Sequence, residues 1–99
     1  MKRLFSTLVL SALALGGLSG AARADAPALF TQHCASCHGA ARLGGMGPAL
    51  LPDSLERLKR KDAHATIRDG RPATQMPAFG QTLTGAEIEA LAEWIYTPV

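Results

Sequence analysis

The sequence predicts an all-α fold of three to four short helices. Four stretches carry helix-start signals or apolar residues at helical spacing, and no stretch is convincing as a β-strand. Glycine and proline concentrate between these stretches, above all in residues 44–48 and 70–77, where they mark loops.

Residues 1–24 have the parts of a secretory signal peptide. Lys2 and Arg3 form a charged n-region, residues 4–15 are an apolar h-region, and residues 22–24 form an A-x-A cleavage site. The apolar run is too short for a membrane span with a stop-transfer flank. We therefore expect a periplasmic protein whose mature domain spans residues 25–99 without a membrane span; the alternative is an uncleaved N-terminal anchor.

Cleavage would change the charge of the chain. Three of the ten basic residues precede residue 25, whereas all eight acidic residues lie within residues 25–99, so the mature net charge is about −1. This balance argues against nucleic acid as a partner. The basic run at residues 57–61 is interpreted as a solvated helix face, with docking onto an acidic redox partner as the alternative.

The first two helices start at polar or proline-containing turns. Asp25 can cap the first, which has Pro27 in its first turn, carries Phe30 and runs into the cysteine motif described below. The second is expected to be short, to start at Pro52 and to include Leu58.

The third and fourth helices have clearer signals. Asp62 can cap the third over residues 63–69, and the glycine that follows ends it. Residues 84–87 form a T-x-x-E capping box for the fourth. Apolar residues recur at helical spacing over residues 88–95, and Pro98 is expected to end this helix.

The pattern C-x-x-C-H occupies residues 34–38, and it predicts the chemistry of the domain. This pattern is typical of covalent c-type haem attachment. Each thiol adds to one vinyl group of the porphyrin, and the imidazole ligates the iron. We predict one covalently bound haem c per chain, held by Cys34 and Cys37, with His38 as a metal ligand. Export agrees with this prediction, because bacteria attach haem to this motif outside the cytoplasm.

Two other sites could use the same residues. A structural zinc site needs about four protein ligands, whereas the motif supplies three and the chain has no second cysteine pair. A thioredoxin-like redox pair needs a neighbouring βαβ pattern, for which no strand is available. Haem attachment is therefore the favoured interpretation.

Two further segments resemble those of class I c-type cytochromes. Residues 47–50 read G-P-A-L and residues 76–79 read M-P-A-F, and both follow the haem motif in the order of that family. The resemblance covers the mature chain and implies the class I cytochrome c fold around one haem. It also implies that the Pro48 carbonyl accepts the Nδ1 proton of His38, which fixes the tautomer of the ligand.

The resemblance extends to the helix contacts and to a subfamily. It implies that Phe30 packs on Leu91 and Trp94 where the terminal helices cross. Residues 41–52 and 70–77 are similar to cytochrome c55X, a small periplasmic cytochrome encoded with haem-d1 nitrite reductase in denitrifying bacteria. They also resemble the haem-c domain of a haem-d1 maturation dehydrogenase. Haem-d1 nitrite reductase or a haem-d1 maturation protein is the implied redox partner.

Four residues of the mature chain could supply the second axial ligand. Met46 lies two residues before Pro48, so it is on the wrong face of the porphyrin if that proline touches the proximal imidazole. His33 adjoins the motif and is interpreted as a solvated helix residue, and His64 as an exposed one. Met76, in the M-P-x-F context of the family, is the predicted ligand.

Two protein ligands would leave no open position on the iron. The predicted function is therefore single-electron transfer and not enzymatic catalysis. The resemblance implies that this transfer serves denitrification, as a donor to haem-d1 nitrite reductase or an acceptor in haem-d1 maturation. A thioether ligand would raise the reduction potential relative to two histidines. The alternatives are a haem-c enzyme or gas-binding sensor with an open iron site, and a haem module that docks to an assembly complex.

Overall fold

The fold was determined as a computed structural model that describes residues 24–99. The expected signal peptide, except for its last residue, lies outside the described residues. The helices, in chain order, are α1 Ala26–His33, α2 Ala35–His38, a 3₁₀ helix Pro52–Leu55, α3 Arg60–Asp69 and α4 Gly85–Trp94. No strand occurs in residues 24–99, which confirms the all-α prediction. None of these helices is long and apolar enough to cross a bilayer.

Helix α1 starts as the sequence predicts. The Asp25 carboxylate accepts a hydrogen bond from the Ala28 N–H at 3.2 Å, which satisfies one free donor of the first turn. The helix does not run unbroken through the cysteine motif. It ends where the Cys34 N–H bonds the Phe30 carbonyl at 2.8 Å, and the separate turn α2 then begins.

The second element is a 3₁₀ helix that starts at Pro52 as expected but ends at Leu55, so Leu58 lies beyond it. The Ser54 N–H bonds the Leu51 carbonyl three residues earlier, at 2.8 Å, which is the spacing of a 3₁₀ turn. Leu58 nevertheless packs against the core, half-buried, through the turn that follows.

The predicted cap of α3 is wrong, whereas its end is confirmed. The Lys59 carbonyl accepts the N–H groups of Asp62 and Ala63, each at 2.9 Å, so the helix starts directly after Lys59. Asp62 therefore lies inside the first turn, where its negative charge interacts favourably with the positive end of the helix dipole. Gly70 ends the helix with φ +73°, and its N–H bonds the Thr66 carbonyl at 2.7 Å.

Helix α4 has the predicted capping box, with both of its hydrogen bonds. The Glu87 N–H donates to Thr84 Oγ1 at 3.1 Å, and the Thr84 N–H donates to Glu87 Oε1 at 2.9 Å. The helix ends at Trp94, earlier than expected. Before Pro98 is reached, the chain leaves α-helical spacing: the Tyr96 N–H bonds the Glu93 carbonyl at 3.2 Å, and the Thr97 N–H bonds the Trp94 carbonyl at 2.9 Å, each three residues earlier.

The core lies where α1 and α3 both pack on α4. Phe30 and Leu91 are almost completely buried, and the rings of Phe30 and Trp94 lie 5.2 Å apart in a tilted arrangement. This confirms the predicted crossing of the terminal helices. Ala63 and Ile67 of α3 belong to the same cluster. Each large apolar side chain buried here stabilises the fold by roughly 1.5–3 kcal/mol.

Candidate haem-binding site

One turn of helix separates the two thiols of the site. The N–H groups of Cys37 and His38 bond the Cys34 carbonyl at 3.2 and 3.0 Å, which fixes the three residues relative to one another. Both cysteines are half-buried and neither forms a disulfide. Burial, with a smaller effect of Cys37, raises the pKa of Cys34 to about 11. This thiol is therefore protonated at neutral pH.

The imidazole of His38 is oriented by the loop that follows it. Its Nδ1 lies 2.7 Å from the Pro48 carbonyl oxygen, the contact that the resemblance implied. A carbonyl can only accept, so Nδ1 carries the proton and donates it. Nε2 is then the unprotonated nitrogen, the form in which imidazole ligates a metal.

A glycine allows this loop to approach the imidazole. A Cβ on Gly47 would lie 2.9 Å from Cε1 and 3.0 Å from Nδ1 of His38. The loop is further held by the Gly47 N–H, which bonds the Cys37 carbonyl at 2.7 Å, and by the Gly44 N–H, which bonds the His38 carbonyl at 2.8 Å. The haem motif and the G-P-x-L segment thus form one hydrogen-bonded unit.

Met76 is half-buried in the loop between α3 and α4 and packs against the core. Its N–H donates to Thr74 Oγ1 at 3.1 Å, and its carbonyl accepts the Arg71 N–H at 3.2 Å. The loop rejoins α3 through the Phe79 N–H, which bonds the Ile67 carbonyl at 2.9 Å. The backbone of Met76 is therefore fixed on both sides.

The Met76 loop meets the start of the haem motif at an aromatic contact. The rings of His33 and Phe79 lie 5.8 Å apart, edge to face. His33 is therefore half-buried, and its interpretation as a solvated residue is wrong. His64 is also half-buried rather than exposed, in a shallow cleft between α3 and α4 beside Glu93.

Met46 occupies a different environment from Met76. Its side chain is 74% exposed. Its neighbour Gly45 lies against the Cys37 carbonyl, and Gly47 lies against the His38 ring. The structure thus places Met46 on the loop that covers His38, with its side chain in solvent.

The sequence analysis predicted no role for two residues near the site, Arg42 and Thr74. Arg42 was counted only as a basic residue, yet it is buried and bonds the end of α4. Its contacts are tertiary, so no local pattern could reveal them. Thr74 orients Met76, and its hydroxyl also donates to the Arg71 carbonyl at 2.8 Å. Thr two residues before Met is a turn pattern that the sequence could have revealed.

The donor set fits a covalently attached haem. It consists of two free thiols one turn apart, an imidazole with its Nδ1 already engaged, and a thioether on a fixed loop. Leu50 and Phe79, on the loops that carry Pro48 and Met76, are apolar and half-buried against the core, so they could contact the apolar face of a porphyrin. In residues 24–99, no three His, Cys, Asp or Glu side chains are grouped to hold a bare metal ion, so Cys34, Cys37 and His38 are not arranged as a zinc site.

Comparison with known proteins places the chain among haem proteins. A model of the family described as "Cytochrome C oxidase, cbb3-type, subunit III" matches residues 21–95. Cytochrome c55X of Stutzerimonas stutzeri is 37% identical over 89 residues, which cover 89% of this chain and 79% of that protein. A solved structure of the c-type cytochrome NirC superposes with a TM-score of 0.66 at 38% identity, covering 70% of this chain and 81% of the other.

A longer relative shares the domain at higher identity. The Dihydro-heme d1 dehydrogenase of Pseudomonas aeruginosa is 52% identical over 84 residues, which cover 85% of this chain. These residues make up 17% of the dehydrogenase, so the chain corresponds to a small part of that protein. The similarity therefore concerns one module of it.

Proposed function

The chain belongs to the cytochrome c family, and on this premise we propose that it is a periplasmic carrier of single electrons in which His38 and Met76 are the two axial ligands of the iron. Haem c, the covalently bound cofactor of this family, supplies reversible one-electron chemistry when it is bound. The observation that carries the proposal is the 2.7 Å contact between Nδ1 of His38 and the Pro48 carbonyl.

Each residue of the site has a separate task in this proposal. The thiols of Cys34 and Cys37 hold the porphyrin in place. The Pro48 carbonyl keeps the proton on Nδ1, so His38 offers Nε2 to the iron in a fixed orientation. Thr74 fixes the backbone of Met76, whose thioether favours the reduced state.

If His38 and Met76 both bind the iron, neither axial position is free for a substrate, and the domain would act as a carrier rather than an enzyme. The activity named for the dehydrogenase relative belongs to a protein of which this chain matches 17%. We propose that the shared module transfers electrons there too, and that the chemistry on haem d1 resides elsewhere in that protein.

The two kinds of relative suggest the same redox system. Cytochrome c55X and the dehydrogenase support a partner in the haem-d1 nitrite reductase system, either the reductase itself or a haem-d1 maturation protein. Which of these two partners reacts with the carrier determines whether the carrier donates or accepts electrons. The experiment mixes the reduced carrier with purified haem-d1 nitrite reductase, and the oxidised carrier with the dehydrogenase and its substrate.

Oxidation of the carrier by nitrite reductase, at rates that saturate with partner concentration, would support donation to the reductase. Reduction of the carrier by the dehydrogenase would support the maturation role. Failure of both reactions, with the haem intact, would contradict the proposed system. An unrelated periplasmic c-type cytochrome in the same assays controls for non-specific transfer.

The basic run at residues 57–61 supports a docking role toward an acidic partner. Its charged side chains, including Arg57 and Lys59, are exposed, and the Arg60 guanidinium is held 5.1 Å from the ring centre of Tyr96. Electrostatic steering predicts a transfer rate that falls with ionic strength. The docking role would be contradicted if the electron-transfer rate of wild type did not depend on salt and if the double variant R57Q/K59Q reacted at the same rate.

A further inference from the structure

Arg42 is the only charged residue that is buried within residues 24–99, with 3% of its surface exposed. Its guanidinium has no acidic partner, because the one ion pair within 4 Å in this part of the chain joins Arg68 and Asp69. It binds carbonyl groups instead. Nη1 donates to the Trp94 carbonyl at 3.1 Å, and Nη2 donates to the Thr97 carbonyl at 2.9 Å.

These contacts stabilise the charge without neutralising it. The Trp94 carbonyl lies at the C-terminal end of α4, where the helix dipole is negative, and the Thr97 carbonyl follows three residues later. The guanidinium also lies 4.5 Å from the centre of the Trp94 ring, whose face attracts cations. Arginine does not lose its proton in proteins, so a full positive charge stays inside the domain at every physiological pH.

The backbone of Arg42 belongs to the loop that orients the proximal ligand. Its N–H bonds the Gly39 carbonyl at 3.0 Å, and its carbonyl accepts the Leu50 N–H at 2.9 Å, so it spans both ends of the segment that carries Pro48. Its φ of +66° is uncommon for a residue with a side chain. The surrounding contacts therefore hold Arg42 in a backbone conformation that costs conformational free energy.

We propose that Arg42 sets the reduction potential of the haem, as a fixed positive charge inside the protein beside the His38 loop. Reduction adds one negative charge to the iron site, and a nearby buried cation favours that state. The inference rests on the proposed attachment of haem through Cys34, Cys37 and His38.

A purely structural role for Arg42 would have the opposite effect on the potential. If Arg42 only held the loop, its loss would loosen the hydrogen bond from His38 to Pro48 and make the imidazole a weaker electron donor. A weaker donor stabilises oxidised iron less, so the potential would rise. The sign of the change therefore separates the two roles.

The experiment compares R42Q, R42K and R68Q with wild type. Each protein is first checked for covalent haem and a low-spin spectrum, and its potential is then measured by redox titration. We expect R42Q to lower the equilibrium constant for reduction about tenfold, which is about 59 mV for one electron. R42K keeps the charge and should stay near wild type, as should R68Q, whose side chain is exposed. The shift should persist at high salt, since buried charges are poorly screened.

A second pair of variants leaves Arg42 in place, in case R42Q fails to bind haem. Thr97 is exposed, and its carbonyl already bonds the guanidinium. T97E should partly neutralise Arg42 and lower the potential, whereas T97Q should not. A rise in R42Q, equal shifts in R42Q and R42K, or an unchanged potential in both R42Q and T97E would overturn the proposal. Wild type without covalent haem would instead contradict the proposed site.

Discussion

Gly47 is the residue at which the approach of the loop to His38 is tightest. An alanine there would bring its Cβ within 2.9 Å of the imidazole, so either the ring or the loop must move. We expect G47A to destabilise the protein by about 1–3 kcal/mol and to reduce haem loading. Thermal unfolding and the haem absorbance per protein measure both effects.

Gly85 provides the matched control for this substitution. It lies at the start of α4, and a Cβ there would have no atom within 4 Å. G85A should therefore leave haem loading unchanged and raise stability by up to about 1 kcal/mol. If both variants behaved alike, the close contact at Gly47 would not matter.

Met76 and Met46 allow a second test at the scale of single residues. M76A should keep the haem attached, because neither the covalent bonds from Cys34 and Cys37 nor the His38 ligand depends on Met76. It should open the sixth position of the iron, lower the reduction potential and admit carbon monoxide. M46A should do none of this, because the Met46 side chain is 74% exposed.

Redox titration and carbon monoxide difference spectra on both variants check the assignment. Loss of the low-spin spectrum in M46A, with M76A unaffected, would show that the axial ligand had been assigned to the wrong methionine.

At the scale of elements, the C-terminal segment after α4 joins parts of the chain that are distant in sequence. The Tyr96 hydroxyl donates to the Leu58 carbonyl, and burial raises the pKa of Tyr96. The neutral phenol is thus favoured in the folded state. Its contribution to stability is complete below its unfolded pKa of about 10 and is lost as the pH rises through the higher folded value.

We expect Y96F to lose about 0.5–1.5 kcal/mol of unfolding free energy at pH 7, because the hydrogen bond is removed. The difference between wild type and Y96F should shrink above pH 10. Denaturant titrations from pH 7 to pH 11 measure it. A difference that stayed constant over this range would mean that ionisation of Tyr96 does not affect stability.

Local signals predicted the elements well where the determinants are near in sequence. The Asp25 cap, the Thr84–Glu87 capping box and the glycine after α3 each act within a few residues, and each is present. The predicted cap of α3, Asp62, lies three residues after the observed cap, Lys59, because Lys59 offers no side-chain signal for a helix start.

The tertiary surroundings of the site were less accessible from the sequence. The C-x-x-C-H pattern predicted haem attachment, and the resemblance to c-type cytochromes implied Met76, whose role as a ligand stays a prediction. The burial of Arg42 and of His33 was not, since it depends on contacts with Trp94 and Phe79 that only the folded chain creates. Charge, hydropathy and spacing contain no information on such pairs.

At the scale of the whole molecule, the domain over residues 24–99 is small, and we expect it to rely on its cofactor. A chain of this size buries a limited core and often needs a covalent or metal staple. C34A and C37A should therefore give proteins with little haem and reduced helix content by circular dichroism. S36A, at the exposed position between the cysteines, should load and fold normally. A compact, fully helical C34A protein without haem would contradict this dependence.

The proposed filling of both axial positions of the iron by protein ligands can be checked on the ferrous wild-type protein by its reaction with carbon monoxide. If His38 and Met76 both bind the iron, the absorption spectrum should not change when carbon monoxide is added at neutral pH. Rapid formation of a carbon monoxide complex would contradict the claim and would favour a haem enzyme or gas sensor with an open iron site.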